Sequence, residues 1–115
     1  MQAFLEEHGF VVIEGVLDRS QVSIATDLCW QFLGDFGMQR DDPNTWSDDN
    51  FGKIGSKMSG ILAGGGFGQS DFQWYCRTQP GVVQVFSKIY ETPDLLTSFD
   101  GGNIFRPWQV RTNMK

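Results

Sequence analysis

The chain has 115 residues, about the size of one domain, and a net charge of −5 from nine basic and fourteen acidic side chains. No run of five or more basic residues occurs, so the clustered cations that bind a phosphate backbone are missing and nucleic acid is not an expected partner. Hydrophobic residues make up 40% of the chain and include ten Phe and four Trp. This composition excludes a disordered tail and suits a folded domain.

The amino terminus lacks the features of a targeting segment. Residues 1–10 include two acidic residues and no Lys or Arg, which argues against a secretory signal peptide. No apolar run approaches the roughly 18 residues of a membrane span. The default expectation is therefore a cytoplasmic protein without a membrane span, and the oligomeric state is left open.

The first two predicted elements are a short helix and a buried strand. Residues 2–8 favour a helix, and Gly9 suits the left-handed conformation that commonly ends one. The stretch FVVIEG at 10–15 follows, with four consecutive apolar residues of which three are β-branched. This composition predicts a strand that is buried on both faces.

The second predicted helix covers residues 19–35. Asp18 is a good N-cap, and Gln21 three residues later completes the spacing of a capping box. At 3.6 residues per turn, seven residues fall within one arc of roughly 140°: Val22, Ala25, Leu28, Cys29, Phe32, Leu33 and Phe36. The arc predicts a core-facing stripe, and Trp30 lies off it, where it can touch a neighbouring element.

Residues 37–69 are rich in Asp and Gly and are predicted to form a long, flexible loop. Gly66-Phe-Gly68 within it lacks the third glycine of a dinucleotide-binding GxGxxG motif. The pairs Asp41-Asp42 and Asp48-Asp49 fit no calcium-loop register. A glycine hinge and a solvated acidic surface are therefore the better interpretations.

Two further helices and a strand are predicted towards the carboxyl end. Ser70 or Asp71 can cap a short helix, and Pro80 suits the first turn of the next helix, which Thr92-Pro93 stops. That next helix carries a continuous apolar stripe: Val82, Val83, Val85, Phe86, Ile89 and Tyr90. Residues 95–100 then show the two-residue alternation that predicts a strand.

The strand at 95–100 offers the candidate ligand-binding residues. Ser98 and Asp100 are predicted to project on the same side, with Asn103 and Arg106 nearby. If this face borders a cavity, the four residues can line a site for a substrate or cosubstrate, where Arg106 suits a carboxylate or a phosphate. A half-exposed strand with ordinary outward-facing polar residues has the same pattern, so both interpretations stay open.

The histidine and cysteine counts limit the chemistry. His8 is the single histidine, so the chain holds no site built from two histidines and no complete 2-His-1-carboxylate iron site. His8 itself is predicted to cap or pack at a helix end. Cys29 and Cys76 show no CxxC spacing, and they are predicted to be reduced, buried thiols on helices, with a disulfide as the alternative. No catalytic residue or metal ligand is assigned.

Two stretches resemble the phytanoyl-CoA dioxygenase-like family. FLEEHGFVVIEGVLD is similar to the opening helix, strand and helix of that family, and FQWYCRTQPGVVQVFSKIYETPDLLTSFDGGNIFRP is similar to a later segment of one branch. The two stretches cover about half of the chain. The resemblance implies an α+β fold in which the chain supplies the N-terminal helices and first strands of an incomplete double-stranded β-helix, or jelly roll.

The resemblance also implies a chemistry. Family members use non-haem Fe(II), 2-oxoglutarate and O₂ to hydroxylate C–H bonds, and a His-x-Asp pair with a distant second His holds the metal after the S-F-D-G strand. Residues 101–115 contain no histidine. Residues 1–115 are therefore expected to be one N-terminal segment of a hydroxylase for a small or lipid-like substrate, inactive and unable to bind either cofactor alone. A non-enzymatic α/β protein-interaction module is the alternative.

Overall fold

The computed structural model describes residues 1–105, which form five α-helices and one two-stranded ladder. The helices are α1 Gln2–His8, α2 Arg19–Asp35, α3 Asp48–Phe51, α4 Asp71–Thr78 and α5 Pro80–Tyr90, and the strands are β1 Ile61–Leu62 and β2 Gly102–Asn103. Short 3₁₀ turns at Pro43–Thr45 and Phe67–Gln69 complete the list of elements. None of the helices within these 105 residues has the length and apolarity that crossing a membrane requires.

The predicted ends of α1 and α2 are confirmed. Gly9 ends α1 in the left-handed conformation, at φ 74°. At the start of α2, the Asp18 carboxylate accepts a hydrogen bond from the Gln21 backbone N–H at 2.8 Å, and the Gln21 side chain accepts one from the Asp18 N–H at 2.9 Å. Both halves of the capping box are therefore formed.

The predicted boundaries of α4 and α5 are confirmed as well. The Ser70 hydroxyl accepts the Gln73 backbone N–H at the start of α4. Pro80 occupies the first turn of α5, where a missing N–H removes no hydrogen bond. The helix ends at Tyr90, because Glu91 turns into the left-handed region at φ 56° just ahead of the proline.

The two strands predicted at 10–15 and 95–100 do not form. Residues 10–13 are irregular and Val12 is 80% exposed, and the backbone of residues 95–100 is likewise irregular, with Leu96 fully exposed. A strand is stable only where a neighbouring strand pairs its backbone N–H and C=O groups. Within residues 1–105 no neighbouring strand lies beside either segment, so the local preference for extended structure is not realised.

The Gly- and Asp-rich segment 37–69 contributes most of the buried core. Seven hydrophobic residues are buried among those described, and five of them belong to this segment: Met38, Phe51, Ile54, Leu62 and Phe67. They cluster with Leu33 of α2. The predicted loop therefore contains α3, β1 and the centre of the core, while its flexibility stays a prediction.

The ladder depends on a close approach between two backbones. β1 pairs antiparallel with β2, with Leu62 opposite Gly102. A Cβ added at Gly101 would lie 2.1 Å from the Leu62 carbonyl oxygen, and one added at Gly102 would lie 2.5 Å from the Phe67 ring. Glycine is therefore required here for space, which is why the sequence has two glycines in a row at 101–102.

We expect Gly101→Ala to lower the free energy of unfolding by about 2 kcal/mol or more, since the new methyl group overlaps a backbone atom that cannot move aside cheaply. Gly34→Ala is the matched control, because nothing lies within 4 Å of a Cβ at this helical position. That variant is expected to gain about 0.5–1 kcal/mol from reduced backbone freedom. Urea unfolding of both variants measures the difference, and equal effects would contradict the proposed close approach.

Candidate functional site

An apolar cavity of about 520 Å³ lies beside the contact between α2 and α4. Its largest wall comes from one face of α2: Val22, Ala25, Thr26, Cys29, Trp30 and Leu33. Phe72 and Cys76 of α4 form the facing wall. A cavity of this size and character can hold a small apolar molecule or a side-chain cluster from another part of a protein.

The α2 wall is part of the stripe that the helical spacing predicts. The stripe divides along its length, because Phe32 packs its ring against Phe67 of the core at 5.1 Å, whereas Val22 and Cys29 face the cavity. Trp30 lies beside the stripe and contacts Trp46 with ring centroids 5.3 Å apart, as its position off the arc predicted. One end of the stripe therefore packs on the core, and the other end faces the cavity.

The floor and the rim of the cavity come from distant parts of the chain. Leu33, Met38 and Phe51 belong to the buried core, so the floor of the cavity is the surface of that core. Ile104 and Phe105 form part of the rim, and Phe105 is exposed. The cavity thus has a buried base and an open edge.

Two unpaired thiols lie in the cavity walls, Cys29 on α2 and Cys76 on α4. Burial raises the pKa of Cys29, and the negative charge of a Cys76 thiolate raises it further. Burial also raises the pKa of Cys76, while the neighbouring Arg77 guanidinium opposes that rise. Their predicted placement on helices as free thiols is confirmed, but both are only half-buried because the cavity opens beside them.

The candidate residues of the 95–103 segment lie elsewhere. Ser98, Asp100 and Asn103 are exposed and are not among the cavity-lining residues. The Asn103 amide donates a hydrogen bond to the Ser59 carbonyl at 3.1 Å, next to the β1–β2 ladder. Arg106 lies outside the described residues. The assignment of all four to a substrate- or cosubstrate-lining surface stays a prediction.

Arg77 holds this segment against the glycine-rich turn. Its guanidinium donates one hydrogen bond to the Gly68 carbonyl and another, at 2.8 Å, to the Asp100 carbonyl. It also lies 5.8 Å from the ring centroid of Trp74, which contacts Phe99 in turn. This role of Arg77 is not predictable from the sequence, since a lone arginine in a short helix has no pattern that reveals its backbone acceptors.

The described residues do not form an iron site. His8 lies in the last turn of α1, where its ring packs on Phe4 at 4.2 Å and its Nε2 lies 3.8 Å from a Glu7 oxygen. The prediction that His8 packs at a helix end is therefore confirmed. No group of three or more His, Cys, Asp or Glu side chains in residues 1–105 is arranged to hold a metal ion. No reaction step through iron is derived from these residues.

The raised pKa values of Cys29 and Cys76 predict a loss of stability in alkali. The folded chain holds the two thiol protons more tightly than the unfolded chain does. Protonated thiols therefore contribute fully to the free energy of unfolding at a pH below their ordinary pKa of 9.0. Their contribution is lost as the pH rises through the higher folded-state values. We expect the free energy of unfolding to fall more steeply towards about pH 10 than in the Cys29→Ala/Cys76→Ala variant. Urea titrations at several pH values test this, and parallel curves would contradict it.

Comparison with known proteins finds two curated relatives that each cover most of the chain. A protein of Aspergillus versicolor named "Ava biosynthesis cluster protein O" is 29% identical over 101 residues, which are 86% of this chain and 32% of that protein. A protein of Dictyostelium discoideum named "Putative phytanoyl-CoA dioxygenase" is 30% identical over 118 aligned residues, covering 97% of this chain and 33% of that protein. The chain thus spans about a third of the length of these relatives.

No protein-family model and no solved structure matches the chain. The similarity to the Dictyostelium protein is therefore the finding that bears on function, and it indicates a dioxygenase-like relationship for this chain.

Proposed function

We propose that the chain is a segment of a phytanoyl-CoA dioxygenase-like, Fe(II)- and 2-oxoglutarate-dependent hydroxylase for a small or lipid-like substrate. The observation that carries the proposal is the similarity to the Dictyostelium protein, which extends over 97% of this chain and leaves two thirds of that protein unmatched. The segment supplies helices and the first strands of the jelly-roll domain, and the remainder supplies the metal ligands. Iron and 2-oxoglutarate, when bound there, supply the oxidising chemistry.

The role of this chain within such a protein is to cover an apolar surface. Helix α5 supports this role because the rest of the chain covers only part of its wide apolar stripe. Val82, Val85 and Ile89, on one half of the stripe, are half-buried against the rest of the chain. Val83, Phe86 and Tyr90, at i, i+3 and i+7, form the other half and are 44%, 50% and 64% exposed. The exposed half of the stripe is suited to packing against a further layer.

The open cavity rim supports the same proposal. Ile104 and Phe105 edge a cavity whose walls are apolar, and Phe99 lies exposed a few residues earlier. Exposed apolar groups of this kind mark surfaces that another part of a protein covers. In the proposed hydroxylase, the remainder of the domain packs against α5 and the cavity rim, and the covered residues exclude water from the interior.

The proposal predicts that the longer protein turns over 2-oxoglutarate and that the 115-residue chain alone does not. With Fe(II), ascorbate and 2-oxoglutarate, the 115-residue chain is expected to release no succinate above the protein-free background, since it has one histidine where the metal site needs two. A protein extended to the length of the relatives is expected to release succinate. His8→Ala is the control in the longer protein and should leave its turnover unchanged. Turnover by the 115-residue chain alone, or none by the longer protein, would overturn the proposal.

The covering role of α5 predicts a length-dependent effect of Phe86→Ser. In the 115-residue chain, where Phe86 is exposed, the substitution is expected to change the free energy of unfolding by less than about 0.5 kcal/mol. In the longer protein, where the ring is covered, the loss is expected to reach about 3 kcal/mol. Lys88→Ser, on an exposed polar position of the same helix, is the matched control and should be neutral in both. A small effect of Phe86→Ser at both lengths would favour the interaction module, whose apolar face stays free.

A further inference from the structure

We propose that Cys29 and Cys76 form a dithiol redox site, which closes to a disulfide between α2 and α4 when a small-molecule disulfide such as glutathione disulfide oxidises it. The proposal does not depend on the proposed hydroxylase function, because it uses only contacts within the described residues. The chemical class of the reactant is an oxidised low-molecular-weight thiol, and the product is a covalent link across the apolar cavity.

The packing of α2 against α4 brings the two cysteines to the same part of the contact between these helices. At one end of the contact, the Gln21 amide of α2 donates to the Gln79 side chain just after α4, at 2.7 Å. At the other end, Phe32 of α2 and Phe72 of α4 both pack on the Phe67 ring, at 5.1 and 5.8 Å. Position 21 thus lies near 79 and position 32 near 72, so the helices run antiparallel. This register places Cys29 and Cys76 within about one helical turn of each other, on the sides of α2 and α4 that line the cavity.

Two further observations agree with that placement. Both cysteines line the same cavity, each half-buried and neither in a disulfide. Burial raises the pKa of Cys29, and the charge of a Cys76 thiolate raises it further, which agrees with the two thiols lying in one cavity. In the 115-residue chain, the opening of the cavity gives a reagent access to both cysteines from solvent.

The neighbouring charge determines the order of the steps. Burial raises the pKa of both thiols, but the Arg77 guanidinium opposes the rise in the pKa of Cys76, whereas the charge of Cys76 adds to the rise in the pKa of Cys29. Cys76 therefore attacks one sulfur of glutathione disulfide, forms a mixed disulfide and releases one glutathione thiolate, which takes up the proton that Cys76 lost. Cys29 then loses its proton to water and attacks the Cys76 sulfur, and the second glutathione leaves as a thiolate and is reprotonated. Two protein thiols are oxidised and one external disulfide is reduced to two thiols.

The disulfide would join two helices that noncovalent contacts already hold in register. Because a link between residues 29 and 76 closes a long loop, it restricts the unfolded chain strongly. The thermal midpoint of the oxidised chain is expected to rise by about 5 °C or more relative to the reduced chain. The cavity between α2 and α4 would narrow at the same time, since the sulfur atoms are drawn together across it.

The test is oxidation of the 115-residue chain by glutathione disulfide, with and without urea, followed by mass spectrometry of the acid-quenched products. In the folded chain we expect the internal disulfide, a loss of two hydrogen atoms, with a yield at least about tenfold above that of mixed disulfides. In urea the mixed disulfides should predominate, since the helices no longer hold the thiols together. Equal ratios with and without urea overturn the proposal.

Single-cysteine variants test the order of attack. Cys29→Ser is expected to trap glutathione on Cys76, and Cys76→Ser is expected to react with glutathione disulfide at least about threefold more slowly, because its remaining thiol lacks the help of Arg77. Gln31→Ser, an exposed position on α2, is the matched control and should form the internal disulfide as the wild type does. Faster capture of glutathione by Cys29 than by Cys76 overturns the proposed sequence of steps.

Discussion

The close approach of Gly101 to the Leu62 carbonyl holds the distant parts of this chain together. It brings the 99–105 segment onto β1, although some forty residues separate the two in sequence. Once there, the segment presents the Asp100 carbonyl to Arg77 and places Ile104 at the cavity rim. The Arg77–Asp100 contact and one edge of the cavity therefore depend on the absence of a side chain at Gly101.

The balance of buried and exposed apolar groups is the structural observation behind the proposal that another part of a protein covers this chain. Among residues 1–105, seven hydrophobic side chains are buried and fifteen large ones are exposed. Scattered exposed apolar residues are ordinary on protein surfaces. Here, however, several share one face of α5, and others surround an open cavity, so they mark a surface suited to being covered. The length of the curated relatives agrees with this interpretation.

Local signals predicted α1, α2, α4 and α5, whereas α3, the strands and the core depended on contacts that a sequence pattern does not contain. The residues that cap or start these helices act within one turn of their own position, so a few neighbouring residues suffice to predict the boundaries. They are Asp18, Gln21, Ser70 and Pro80. The segments at 10–15 and 95–100 have the composition of strands, but strand formation needs a partner. Residues 37–69 were predicted to be a loop from their Asp and Gly content, because the few apolar residues that build the core are scattered among them.

The candidate site was predictable only in part for the same reason. The stripe on α2 follows from helical spacing, so Cys29 could be assigned to an inward-facing position. That Cys76 lies across from it follows from the packing of α2 on α4, which no spacing in the sequence encodes. The polar residues singled out at 98–103 lie away from the cavity, because the segment that carries them is irregular and is held elsewhere by the Asp100 carbonyl and the Asn103 side-chain amide.

The capping box of α2 has a consequence for which amino acid can stand at position 21. Capping boxes accept Glu and Gln alike, since either offers an oxygen to the N-cap amide. In this chain the Gln21 nitrogen also donates to Gln79, whose own amide nitrogen donates to the Tyr75 carbonyl and fixes its oxygen towards Gln21. A carboxylate at position 21 would bring two acceptors face to face. In an isolated helix, Gln and Glu would both serve at position 21. In this chain, Gln79, 58 positions away, makes the position selective for the amide of Gln over the carboxylate of Glu.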